Sequence, residues 1–283
     1  MTAHADPVPP ADLACGRFSI DLSVPRLMAI VNVTPDSFSG DGLAHDVGAS
    51  LARAEAAVRD GAELLDIGGE SSRPGSATVS EQEELDRVLP LLERLAEWPL
   101  PVSVDTVKPG VMRAAIAAGA SMINDINAFR APGAIEAVAG SDAALCVMHM
   151  RGEPRTMQQD PVYEDVVGEV AAFLDERVAM LRTAGVANER MVLDPGFGFG
   201  KTLEHNLALL RAIDRFCAGG HGVLVGVSRK RMLGMITGRA VDERMAAGLS
   251  AALLAVEGGA RIVRTHDVAA TRDALAVWKA VRR

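Results

Sequence analysis

Acids, amides and cations recur in this chain at one kind of place, the end of a short apolar run. Asn32, Asp66, Asp105, Asn124, His149, Asp194, Ser228 and Arg264 all stand at or just past such an end. Asp105, the pair Asn124-Asp125, and Asp194 would together read a flat heterocycle that displays alternating N–H donors and acceptors, and burial would sharpen that reading. A single Asp in such a place also serves as an N-cap for the next helix; several converging on one site exceed that need. Asn32 and Asp36 offer hard oxygens suited to Mg²⁺ beside a substrate's phosphates. Arg264-Thr265-His266 and Ser228-Arg229-Lys230-Arg231 supply cations and hydroxyls fit for a diphosphate. In Gly68-Gly69-Glu70-Ser71-Ser72-Arg73-Pro74-Gly75 the glycines allow close approach, and Arg73 has the geometry to meet a carboxylate bidentately.

The stretch Met191 to Thr202 contains Gly200-Lys201-Thr202 after a glycine-rich turn. A phosphate-cradling P-loop needs a glycine five residues before that Gly, and the position holds Pro195. The stretch therefore reads as a strand, a turn and a helix start, with Asp194 at the strand's carboxyl end.

That arrangement repeats eight times. Strand-like runs fall at Leu27–Val33, Leu64–Gly68, Val102–Asp105, Ser121–Asp125, Ala144–Met148, Met191–Asp194, Gly222–Val227 and Arg261–Arg264. Segments of helical period lie between them, among them Gly48–Asp60, Glu81–Glu97, Gly110–Ala118, Tyr163–Ala184, Leu203–Phe216 and Asp242–Glu257. Ser80 before Glu81-Gln82-Glu83 is a helix-start signal. Eight βα units imply parallel strands, and eight strands close a (β/α)8 TIM barrel, α/β in class, in a chain near the usual ~250 residues. An open doubly wound sheet competes, but it would string the polar strand ends along an edge. A barrel gathers them at one mouth. The alternation of Phe18, Ile20, Leu22 and Val24 predicts a short hairpin over Gly16 to Arg26. A single barrel domain is expected over 16–283, behind a tail over 1–15.

The 283 residues are 49% hydrophobic and only 4% aromatic, so aliphatic side chains must fill the core. A net charge of -8 without a long basic block argues against nucleic-acid binding. Cys15, Cys146 and Cys217 are too few and too far apart for a disulfide framework or a zinc site. No apolar run reaches membrane length, and the first ten residues lack the features of a signal peptide. A cytoplasmic protein is expected, with no membrane and no nucleic-acid partner.

At these residues the chain resembles dihydropteroate synthase. The resemblance runs from about Arg17 to the C-terminus. It is carried by Ile-Val-Asn-Val-Thr-Pro-Asp-Ser-Phe-Ser, Asp-Ile-Gly-Gly-Glu-Ser-Ser-Arg-Pro-Gly, Asn-Asp-Ile, Leu-Asp-Pro-Gly-Phe-Gly-Phe-Gly-Lys, Gly-Val-Ser-Arg-Lys and Val-Arg-Thr-His-Asp, in order. It implies a (β/α)8 barrel, a homodimer, and a Mg²⁺-dependent transferase of folate biosynthesis. That enzyme joins p-aminobenzoate to 6-hydroxymethyl-7,8-dihydropterin diphosphate and is the target of sulfonamides. By the same resemblance Asp105, Asn124, Asp194 and Lys230 hold the pterin, with Ile126 and Met148 packed on it. Asn32 ligands the metal and, with Arg264 and His266, holds the diphosphate. Ser72, Arg73, Pro74, Phe199, Ser228 and Lys230 form the p-aminobenzoate pocket. Ser72 stands where the family often carries Thr; the hydroxyl is kept.

The implied chemistry is a dissociative substitution without a covalent enzyme intermediate. Arg264 and His266 neutralise the departing diphosphate, and Asp105 stabilises the cationic pterin methylene. These two cations, with Asp105 and Lys230, form the expected catalytic set. A pterin-binding methyltransferase would share the acids but has no use for Ser-Arg-Lys or the diphosphate set. A non-catalytic pterin binder would be expected to have lost some of these motifs, and all are present.

Overall fold

The computed structural model describes residues 12–33, 47–72, 75–154 and 156–282. Within them a two-stranded antiparallel hairpin, β1 (Leu13–Cys15) and β2 (Phe18–Ile20), precedes a closed barrel of eight parallel strands. The barrel strands are β3 (Arg26–Asn32), β4 (Leu64–Gly68), β5 (Val102–Asp105), β6 (Met122–Asp125), β7 (Ala144–Met148), β8 (Met191–Asp194), β9 (Gly222–Val225) and β10 (Ile262–Thr265). They pair in chain order, and β10 closes on β3, with Arg264 level with Met28. The expected TIM barrel is what forms, and the polar strand ends share one mouth.

Strand alternation divides the apolar residues between two cores. Leu65 and Ile67 on β4, Val102 and Val104 on β5, and Leu145 and Val147 on β7 pack outward against the helices. Met28, Leu64, Met122, Ala144, Cys146, Val192, Leu224 and Ile262 fill the barrel's interior. Leu13, Cys15, Ile20 and Leu22 of the hairpin join this inner cluster and plug the barrel's floor. The hairpin thus begins before residue 16, where the N-terminal tail was expected to end. Leu13 and Cys15 are ordered because they cover apolar side chains that would otherwise face water at the open end.

The helices are α1 (Val47–Arg59), α2 (Glu81–Leu95), α3 (Pro109–Ala117), α4 (Ala134–Val138), α5 (Val166–Thr183), α6 (Leu203–Arg211), α7 (Ile213–Cys217), α8 (Arg231–Thr237), α9 (Met245–Glu257) and α10 (Val268–Val281). Ser80 caps α2, its hydroxyl accepting from the Glu83 N–H at 3.1 Å. The expected single helix Leu203–Phe216 is broken between α6 and α7. Both halves bury apolar residues in the outer core, Leu209 from α6 and Ile213 and Phe216 from α7. Cys15, Cys146 and Cys217 are buried free thiols. Burial pushes Cys15 up to about 12 and Cys146 well above its ordinary value, so neither is an available thiolate nucleophile.

Candidate active site

Period two decides which of the mouth's polar residues face inward. On β4, Leu64, Asp66 and Gly68 share the inner face; on β5, Asp105 does, level with Gly68 on one side and Asn124 on the other. Asn124 therefore points into the barrel and its neighbour Asp125 points out. The Asp125 carboxylate accepts the N–H groups of Asn127 and Phe129, both at 2.7 Å. Behind it the Arg177 guanidinium donates to the carbonyls of Ala128 and Phe129, both at 2.9 Å. These bonds hold a turn in which Ala128 and Phe129 both have positive φ, 53° and 57°, a costly conformation for non-glycine residues. Asp125, expected among the acids of the mouth, instead braces the loop that follows β6 and carries Ile126.

The inner set is tied together by charge. Arg264 Nε donates to Asp66 Oδ2 at 2.6 Å and Nη2 to Asp105 Oδ2 at 3.2 Å. Asn124 Nδ2 donates to the same Asp66 oxygen at 3.2 Å. Asp66 is fully buried, and its Oδ1 and the Asn124 Oδ1 find no partner among the described residues. Arg264 thus commits two of its five N–H donors to barrel acids. Asp66 had a strand-end place in the sequence but no assigned role. Its signal is an acid inside the otherwise apolar Leu-Leu-Asp-Ile-Gly. Burial and the neighbouring Asp66 push Asp105 up to about 7, against the pull of Arg264.

Asp194 ends β8, and its Oδ1 accepts the Gly196 N–H at 2.7 Å. Burial raises its pKa, opposed by that bond and by Lys230. Lys230 precedes α8 and rests its ammonium 4.2 Å from the centre of the Phe199 ring. Burial lowers it to about 8, with Asp194 opposing. Ser228 and His266, from the loops after β9 and β10, meet at 3.1 Å between Oγ and Nδ1. After Ser228, Arg229, at φ 57°, turns aside to Asp267 at 2.5 Å. Ile126, Met148 and Phe199 form one apolar cluster with Met150, Met157 and Val107, a lining of the kind that ring systems bind. His149 turns away from this lining: its ring meets Phe173 edge-on at 4.9 Å and its Nδ1 faces Lys201.

Asn32 ends β3, level with Gly68. Ser72 is half-buried in the segment after β4, whose base is anchored by Lys108, ion-paired with both Glu70 and Glu84. Asp36, Arg73 and Pro74 lie outside the described residues. Among the described residues no group of three His, Cys, Asp or Glu side chains is gathered for a metal.

Comparison with known proteins agrees with this geometry. A family model described as pterin binding enzyme matches residues 28–266. The chain is 49% identical, over 94% of its length and 96% of the relative's, to a dihydropteroate synthase of Neisseria meningitidis serogroup B. Among solved structures, the Burkholderia cenocepacia dihydropteroate synthase complexed with 7,8-dihydropteroate is 52% identical. Its TM-score is 0.89, and 97% of this chain and 98% of that one are covered. The Xanthomonas albilineans dihydropteroate synthase with 4-aminobenzoic acid is 50% identical, with a TM-score of 0.91 and coverage of 97% and 99%. With its barrel, its inward acids and this likeness along nearly the whole length, the chain belongs to the pterin-binding enzymes and, within them, to the dihydropteroate synthases.

Proposed function

We propose that the mouth joins p-aminobenzoate to 6-hydroxymethyl-7,8-dihydropterin diphosphate, giving 7,8-dihydropteroate and diphosphate. The observation that carries this reading is one rim on which heterocycle-reading groups (Asp105, Asn124, Asp194) adjoin cations (Lys230, Arg264) and the Ser228–His266 pair. The buried Asn124 Oδ1, unpartnered among the described residues, is an acceptor that a pterin N–H would satisfy. Ile126, Met148 and the Phe199 ring give the heterocycle and the aryl ring apolar faces.

The C–O bond to diphosphate breaks first. Arg264, through its uncommitted N–H groups, and His266 take up the negative charge of the leaving group. Asp105 faces the positive charge left on the pterin methylene. The p-aminobenzoate nitrogen then attacks that carbon, and its surplus proton departs to solvent or diphosphate. Ser72, Ser228, Lys230 and Phe199 orient the arylamine, together with Arg73 and Pro74. Mg²⁺ would be held by Asn32, with Asp36, and would supply further neutralisation of phosphate charge. Sulfonamides, which present an aniline and an anionic group at a similar spacing, would compete for the aryl pocket.

The deciding assay measures diphosphate and dihydropteroate formed from the two substrates, with and without a chelator. Turnover that stops on chelation is expected; tight pterin binding without any release would reduce the chain to a pterin binder. The pH profile adds a second check. Lys230 must keep its proton to hold its place beside Asp194, so kcat/KM should fall as pH rises through about 8. Asp105 must be ionised, so an acid limb should appear as pH drops below about 7. Lys230→Arg should abolish the alkaline limb and leave the acid one; a limb unmoved by this change would count against Lys230.

The partner in solution is a second copy of the chain, and the site of action is the cytoplasm. The apolar α9 exposes Met245 and Leu254, and α8 beside it exposes Met235 and Ile236. Exposed side chains of this size gathered on adjacent helices are a feature of association surfaces. No helix among the described residues is long and apolar enough to cross a membrane. Leu254→Glu should shift the sedimentation coefficient from dimer to monomer; a monomeric wild type would refute the dimer.

A further inference from the structure

The reaction as drawn makes no use of Lys201, yet it is the most heavily bonded buried cation among the described residues near the mouth. It is 3% exposed. Its ammonium lies 2.9 Å from the His149 Nδ1, 2.9 Å from the Gly196 carbonyl, 3.0 Å from the Phe199 carbonyl and 3.3 Å from the His149 carbonyl. Those acceptors belong to two different loops, the turn after β8 and the segment after β7. The loops touch backbone to backbone: a Cβ on Gly196 would fall 1.9 Å from the His149 carbonyl oxygen, and one on Gly200 2.2 Å from that of Arg151. Both glycines also have positive φ, 71° and 62°. Glycine at 196 and 200 therefore lets the two loops approach closely enough for one ammonium to reach both.

The same turn is gripped elsewhere. The Gly196 N–H goes to Asp194, the Phe199 N–H returns to the Gly196 carbonyl at 3.1 Å, and the Gly198 N–H goes to Asn206 Oδ1 at 2.7 Å. Burial and the Lys201 charge lower His149 to about 3, so its ring is neutral, and facing an ammonium, which can only donate, its Nδ1 is the acceptor. The turn's outward product is the Phe199 ring, which lies in the mouth lining and beneath the Lys230 ammonium.

We propose that Lys201 is a positioning residue for the aryl half of the site: it ties the Gly196–Phe199 turn to the loop after β7 and so fixes the Phe199 ring under Lys230. This rests on the p-aminobenzoate pocket assigned above. Lys201 touches no substrate; it acts through the two carbonyls that bracket the turn.

The test compares wild type, Lys201→Met, Phe199→Ala and the double variant, with KM measured separately for each substrate and folding followed by circular dichroism. Lys201→Met should raise KM for p-aminobenzoate about tenfold, at the low end for loss of a charge-assisted hydrogen bond. KM for the pterin diphosphate should stay within about twofold, and the double variant should match Phe199→Ala to the same tolerance. A wild-type KM for p-aminobenzoate with only a lower melting temperature overturns the proposal. So does an equal rise in both KM values, or multiplication of the two effects in the double variant. If Lys201→Met does not fold, His149→Phe, which keeps the ring and removes one acceptor, must raise the same KM selectively; an unaltered value overturns the proposal. Absence of dihydropteroate formation by wild type would instead defeat the reading of the reaction.

Discussion

Arg264→Met is expected to cost about 3–5 kcal/mol of stability, the range for leaving a buried charge without its partner. Arg264 is the guanidinium that bonds both Asp66, which water does not reach, and Asp105. Without it the two carboxylates face each other across the barrel interior and must take up protons or unfold the strands that carry them. Turnover should fall by about 10²–10³ as well, because the donors aimed at the departing charge are lost. The two effects are separable. Adding Asp66→Asn removes the stranded charge and should restore much of the urea midpoint, while turnover stays low. Equal stability in Arg264→Met and wild type would show that the ion pairs contribute little. Recovery of turnover in the double variant would show that Arg264 serves only to neutralise Asp66.

Asp194→Asn should weaken binding of the pterin diphosphate by about 10²–10³, with little change in stability, since truncating one side of a buried charge-assisted pair costs about 2–5 kcal/mol. The asparagine oxygen can still accept the Gly196 N–H, so the turn after β8 keeps its shape. What changes is the face offered to the ligand: an anionic acceptor becomes a neutral group carrying an NH₂ that meets the ligand's own donors. The loss should appear in calorimetric titration with the pterin diphosphate alone. Unchanged pterin affinity, with KM for p-aminobenzoate raised instead, would move Asp194 to the other half of the site.

Much of the barrel was legible in local pattern. The runs Leu64–Gly68, Val102–Asp105, Ala144–Met148 and Met191–Asp194 are strands with those bounds, because a short apolar run closed by turn residues leaves little choice of length or period. The placement of Asp125 follows from the same period: beside an inward Asn124 it must face out, and strict alternation would have separated the two. The hairpin was less legible. Leu13 and Cys15 are two apolar residues without a pattern of their own, and they become a strand by covering the barrel floor.

The sequence by itself determined which residue types gather at one rim, since eight parallel strands bring their carboxyl ends to the same face whatever fills the core. Tertiary structure decided how those groups are wired. That Asp66 carries Arg264, and that Lys201 braces Phe199 rather than a phosphate, depends on side chains from distant strands and loops meeting in the barrel's interior. There a charge must find its partner across the barrel, and the closure of β10 on β3 brings the two within reach.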